Sequence, residues 1–155
     1  MKERITKRQV MFKPVLFFFS IILLSSGISS AQSDKEKWDL ISSKGGSRLS
    51  INLNGIEENK YGDIYVWALE EHGSPIVIES VPKKISKTKT YYLINKNFKR
   101  YSISQLLYYD EKGNVQKHFS YTNESQDTTY RYSYPILPSS NMELILTRCL
   151  ETIKK

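Results

Sequence analysis

PSSNMELILTRCLETI, Pro138 to Ile153, is the stretch on which the fold turns. Its apolar residues are Met142, Ile145, Leu146, Cys149, Leu150 and Ile153. They follow the i, i+3, i+4, i+7, i+8, i+11 spacing of one helical face. Ser140 and Glu143, three apart, form a capping box, with Pro138 just outside the helix start. Almost everything between this helix and the N-terminal leader reads as strand. One amphipathic helix among strands needs a sheet face to cover. The predicted class is therefore α+β: a single antiparallel sheet of about six strands with a C-terminal amphipathic helix packed on one face.

Upstream of the helix, Trp38, Leu40 and Ile41 open the ordered domain. Lys44-Gly45-Gly46 is a turn signal. Ser47 to Leu53 alternates, with Leu49, Ile51 and Leu53 on one side and Ser50 and Asn52 on the other. Ile64 to Leu69, IYVWAL, is apolar on both sides and reads as a central strand. Pro75 to Val81, with proline at or near each end, reads as an edge strand or an extended connection. Pro82 to Thr90, PKKISKTKT, reads as a basic loop. Thr90 to Asn95, Tyr101 to Tyr109, Asn114 to Tyr121 and Thr128 to Tyr134 supply the remaining strands. Asp110 to Gly113 is a hairpin turn in which Gly113 takes the left-handed conformation, and Thr122 to Asp127 is a second polar turn. Short connections between neighbouring strands imply a meander.

The N-terminus carries a different signal. Five basic residues precede the apolar run Val15 to Leu24, and the small-residue stretch Ser25 to Ala31 follows. This is the layout of a secretory signal peptide over residues 1–31, with cleavage before Gln32. The run falls short of the roughly 20 residues of a permanent span. An uncleaved anchor is the alternative. Residues 32–37 then form a flexible arm and 38–155 the domain. Removing the leader leaves 18 basic against 15 acidic residues, a net charge of +3. That is too weak and too dispersed for a nucleic-acid-binding face. The single cysteine, Cys149, has no intramolecular partner, and its place on the apolar helix face predicts a buried thiol.

Chemistry-bearing patterns are sparse. His72 and His118 are the only histidines, and neither stands at metal-ligand spacing from another histidine or cysteine. No nucleophile elbow, phosphate-binding glycine loop or C-x-x-C motif occurs. The carboxylate pairs Glu57-Glu58 and Glu70-Glu71 sit in or beside polar turns. No cofactor or metal is expected, and the reading is non-enzymatic, with a dispersed hydrolase site as a third alternative. Two features fit recognition. Nine of the eleven tyrosines lie from Tyr91 onward, suited either to cross-strand packing or to a binding face. Lys83, Lys84, Lys87 and Lys89 are either a solvated loop or a site for an acidic protein partner.

Taken in order, several short motifs resemble the surface-adhesin protein E family of Gram-negative bacteria. They are Trp38-Asp39-Leu40-Ile41, Val66-Trp67, the hairpin from Tyr108 through Asp110 and Gly113 to Val115, Ile136-Leu137-Pro138-Ser139, and the helix with Cys149. The resemblance implies an exported domain whose helix packs on the concave face of the sheet. It also implies adhesion to host matrix and plasma proteins such as vitronectin, laminin and plasminogen. One departure is plain: the family usually pairs the helix cysteine with an earlier one, and Tyr91 to Tyr101 has none.

The expectation is an exported binding domain, in the periplasm or on the outer cell surface. Its partner is a host matrix or plasma protein or, alternatively, a bacterial envelope protein. The candidate contacts are Lys83, Lys84, Lys87, Lys89 and Lys155, the last as a terminal lysine for kringle-type sites. No nucleic acid and no stable transmembrane span after cleavage are expected. A homodimer is compatible with the sequence.

Overall fold

A computed structural model describes residues 36–121 and 131–154 of the chain. The leader, most of the arm, the 122–127 turn, Thr128 to Tyr130 and Lys155 lie outside the described residues. Among the described residues the main elements are β1 Trp38–Lys44, β2 Ser47–Asn52, β3 Glu57–Glu58, β4 Asp63–Ile76, β5 Ile85–Asn95, β6 Arg100–Tyr109, β7 Val115–Ser120, β8 Tyr134–Pro135 and the helix α1 Asn141–Ile153. All strands pair antiparallel in one sheet, in the order β1-β2-β4-β5-β6-β7. The two-residue strands β3 and β8 pair with β4 and β6. The α+β class is as predicted, but the sheet has eight strands, not about six.

The differences have local causes. β1 escaped a strand assignment because a bulge falls between Leu40 and Ser42. It breaks the two-residue period and leaves Leu40 and Ile41 as adjacent apolar residues. β4 runs on through Glu70-Glu71-His72 to Ile76, where a break was expected. Its polar residues are held by β5, with Glu71 opposite Lys87 and Glu70 opposite Thr88. β5 likewise begins at Ile85, so two thirds of the expected lysine loop is strand. Pro75 to Val81 forms no strand of its own. Of the last predicted strand, Thr128 to Tyr130 lie outside the described residues; Tyr134 pairs with Tyr101 as part of β8, and Arg131 to Ser133 lies against the sheet.

The Lys44–Ser47 turn shows why two glycines stand there. Gly45 and Gly46 both have positive φ, 60° and 79°, as a two-residue hairpin turn requires. This turn abuts β4 so closely that a Cβ on Gly73 would lie 2.6 Å from the Gly46 carbonyl carbon.

The core forms where the helix covers the sheet. Met142, Ile145, Leu146 and Cys149 are the buried helix residues, with Leu150 half-buried beside them. They pack on Leu49 and Ile51 of β2, on Ile64, Val66 and Ala68 of β4, and on Ile94 of β5. Ile153 is exposed, so the expected six-residue face is five residues in practice. Ser140 Oγ accepts from the Glu143 N–H at 3.3 Å, and Glu143 Oε2 accepts from the Ser139 N–H at 2.6 Å. The capping box is thus closed one residue earlier than the motif implies. Arg148 Nε donates to Asp39 at 2.7 Å and ties the middle of the helix to β1.

Candidate interaction surface

A sheet of six long strands is about 24 Å wide at ~4.8 Å per strand. A helix is about 10 Å across. α1 lies over the β1, β2 and β4 side, so it covers only part of one face. The remainder is where the sequence puts its aromatic residues.

The opposite face, helix-free in the sense that α1 does not lie on it, is organised in rungs. One rung runs Trp67, Tyr91, Gln105, Ser120 across β4, β5, β6 and β7, and Trp38 stands opposite Asn52 on β1 and β2. The next runs Leu40, Ser50, Leu69, Lys89, Leu107, His118. Trp67 stacks on Tyr91 with centroids 4.8 Å apart, and Tyr65 lies 6.1 Å beyond. Lys89 Nζ sits 4.8 Å from the Trp67 ring and 5.5 Å from the Trp38 ring, where the negative π-faces attract it. Glu36 completes the arrangement by pairing with Lys89 and accepting from the Trp38 indole N–H at 3.1 Å. These side chains are half-buried, their apolar bodies packed on each other and their edges open.

One end of this face is closed by a polar cluster. Asp63, 1% exposed, accepts from Asn95 Nδ2 at 2.8 Å, Asn59 Nδ2 at 3.0 Å and Arg131 Nη2 at 3.1 Å, and from the Tyr132 hydroxyl. Burial pushes the Asp63 pKa up, but donation from Tyr132, Asn95 and Asn59 and the Arg131 charge outweigh it, holding the carboxyl below its usual range. Ser102 Oγ donates to the Arg131 carbonyl at 2.7 Å. The 131–133 segment is thereby fixed on the sheet.

The helix-bearing face beside α1 is also aromatic. Tyr92 and Tyr101 meet edge to face at 5.7 Å, with Tyr134 5.3 Å from Tyr101. Tyr108, Phe119 and Tyr121 continue the row toward β7. Burial pushes the Tyr92 hydroxyl up to about 12. The tyrosines pair across strands, and their outer edges lie at the surface.

The candidate lysines do not gather into one patch. Lys83 Nζ bonds Asp110 at 3.1 Å, Lys87 pairs with Glu71 at 3.0 Å, and Lys89 is held by Glu36 and the indoles. Lys84 is exposed in the turn before β5. Lys155 lies outside the described residues. Lys87 and Lys89 share the helix-free face because they are two apart on β5. Both tryptophans face this side too, which period-two alternation along β4 predicts for Trp67, but no sequence signal brings Trp38 into line with it.

Elsewhere the chemistry is spent locally. His72 Nε2 lies 2.8 Å from Thr88 Oγ1, and His118 is exposed on β7. Glu58 pairs with Lys96, and Glu71 with Arg48 and Lys87. Among the described residues, no three His, Cys, Asp or Glu side chains converge in a metal-holding group. Burial pushes the Cys149 thiol up to about 12. No known family model, curated protein or solved structure matches this chain.

Proposed function

We propose that this chain is an exported, non-enzymatic protein-binding domain that engages its partner through the helix-free sheet face. The observation that carries the reading is the cluster of Trp38, Trp67 and Tyr91 with Lys89 between the indoles, on the face that α1 does not cover. Tryptophan and tyrosine dominate the energetics of protein interfaces because they bury large area with few rotatable bonds. The leader-like N-terminus supports export, to the periplasm or the cell surface. The ordered motifs from Trp38 to Cys149 support kinship with the surface-adhesin protein E family, and with it a host matrix or plasma protein as partner.

The test is a binding panel with residues 32–155, set against immobilised matrix and plasma proteins and against an envelope fraction. Tyr91→Ala and Leu107→Ser should each weaken binding by about thirty-fold, the effect of losing ~2 kcal/mol at a hot spot. Phe119→Ser, on the other face, should leave binding unchanged. Capture of a single envelope protein with the same mutational pattern would transfer the partner to the bacterium. No binding to either set, or equal loss with all three variants, would overturn the assignment.

A further inference from the structure

The end of the sheet where β4 begins and β5 ends carries two turns that touch. Asn59 to Gly62 precedes β4, and Lys96 to Lys99 joins β5 to β6. Lys96 N–H donates to the Gly62 carbonyl at 3.2 Å, and Asn97 Nδ2 to the Tyr61 carbonyl at 3.5 Å. Each turn is also locked from inside by an asparagine. Asn59 Oδ1 accepts from the Tyr61 and Asp63 N–H groups at 2.8 and 3.1 Å. Asn95 Oδ1 accepts from the Asn97 and Phe98 N–H groups, both at 3.0 Å. What these rigid turns hold outward is an aromatic pair: Tyr61 is 67% exposed and Phe98 56%.

The charges around this pair have one predominant sign. Lys60, Lys96, Lys99 and Arg100 flank it, with Lys60 Nζ 5.0 Å from the Tyr61 ring. The nearby carboxylates are Glu57, Glu58, which Lys96 engages, and Asp63, which is buried and saturated. Lys99 adopts a positive φ of 51°, a conformation that glycine would take without strain. The chain enters the domain from the same end. Trp38 is the β1 residue nearest to it and β1 runs away from it, with thirteen residues between Trp38 and Leu24, where the apolar run closes.

We infer that this end of the domain docks on an anionic lipid surface. Exposed aromatic rings settle at the headgroup level, where an apolar body and a polar rim are both satisfied. Each lysine or arginine near an anionic leaflet adds attraction that fades within a Debye length. The helix-free face then stands roughly perpendicular to the lipid and stays free for its partner.

Vesicle co-sedimentation tests this with residues 32–155. That segment holds the whole core, and residues 33–155 form a compact unit of their own. Vesicles of phosphatidylcholine with about a third phosphatidylglycerol should bind the protein at low salt, and pure phosphatidylcholine vesicles should not. Lys60→Glu/Lys99→Glu should lower binding at least ten-fold, and so should Tyr61→Ser/Phe98→Ser. Tyr61→Ser alone, which leaves the Phe98–Tyr132 contact in place, should give a smaller loss. Lys44→Glu/Lys112→Glu, at the opposite end, should have no effect. Equal binding to neutral vesicles, no binding at low salt, or equal loss with the opposite-end variant would overturn the inference. So would binding of an anionic oligonucleotide or polysaccharide with the same dependence on these residues and none to vesicles.

Discussion

At the residue scale, the most constrained group outside the core is Asp110, which the sequence marks only as a turn residue. Its Oδ1 accepts from the Asn114 and Lys112 N–H groups at 2.9 and 3.0 Å, and its Oδ2 from Gln116 Nε2 at 2.9 Å and Lys83 Nζ at 3.1 Å. The Asn114 backbone donor lowers its pKa most; burial opposes this, and Lys83 lowers it further, to about 2. A carboxyl lowered in the folded state contributes stability that is complete above its unfolded pKa near 3.8. That contribution is lost as pH falls through the folded value. Melting temperature should therefore hold from pH 7 to about pH 4 and then fall. Asp110→Asn should melt lower at pH 7 and show a shallower acid limb, because Asp63 alone then drives it. Parallel acid limbs in thermal melts of the two proteins would refute this. The candidate lysines teach the complementary lesson. Their spacing along the sequence suggested a patch, but the acids that pair with them come from positions 36, 71 and 110. Such pairings are long-range and leave no trace in local sequence.

At the scale of elements, the helix was the most legible part of the chain. Its 3.6-residue period and its cap are local, so Met142, Ile145, Leu146, Cys149 and Leu150 were identifiable before any tertiary contact was known. Bulged β1 and the first part of β5, before Thr90, were not legible, because a bulge destroys the period and a charged strand looks like a loop. Lys89 is tolerated there since its ammonium lies over the two indole rings and pairs with Glu36. The candidate surface was half legible: the tyrosine run was visible, but its division between two faces depends on sheet register. The helix also supplies a test of the core. Ile145→Ala removes a fully enclosed side chain and should cost about 2–5 kcal/mol in chemical denaturation. Cys149→Ala removes one sulfur from an equally buried site and should cost clearly less. Cys149 should also resist thiol reagents until the protein unfolds. Comparable losses for the two variants would mean that the thiol does more than fill space.

At the scale of the whole molecule, stability should be graded across the sheet. β2 and β4 lie between two neighbours and under the helix, whereas β7 is an edge strand with mostly exposed residues. Native-state hydrogen exchange should be slowest at β4 amides around Val66 and fastest at β7 around Lys117, since local opening follows burial. Uniform protection from β2 to β7 would contradict this. The bulges in β1 and β7 have a related effect at the two edges, where they disfavour pairing with another chain. The off-centre helix carries a consequence of a different kind. Because one helix secures only one side of the sheet, the residues that hold the fold and those that meet the outside world are largely different residues. Outward positions on β6 and β7 can therefore change by mutation with little penalty to folding. A lineage carrying this domain has room to alter what it recognises, strand by strand, while Leu49, Ile51, Val66 and the α1 face stay as they are.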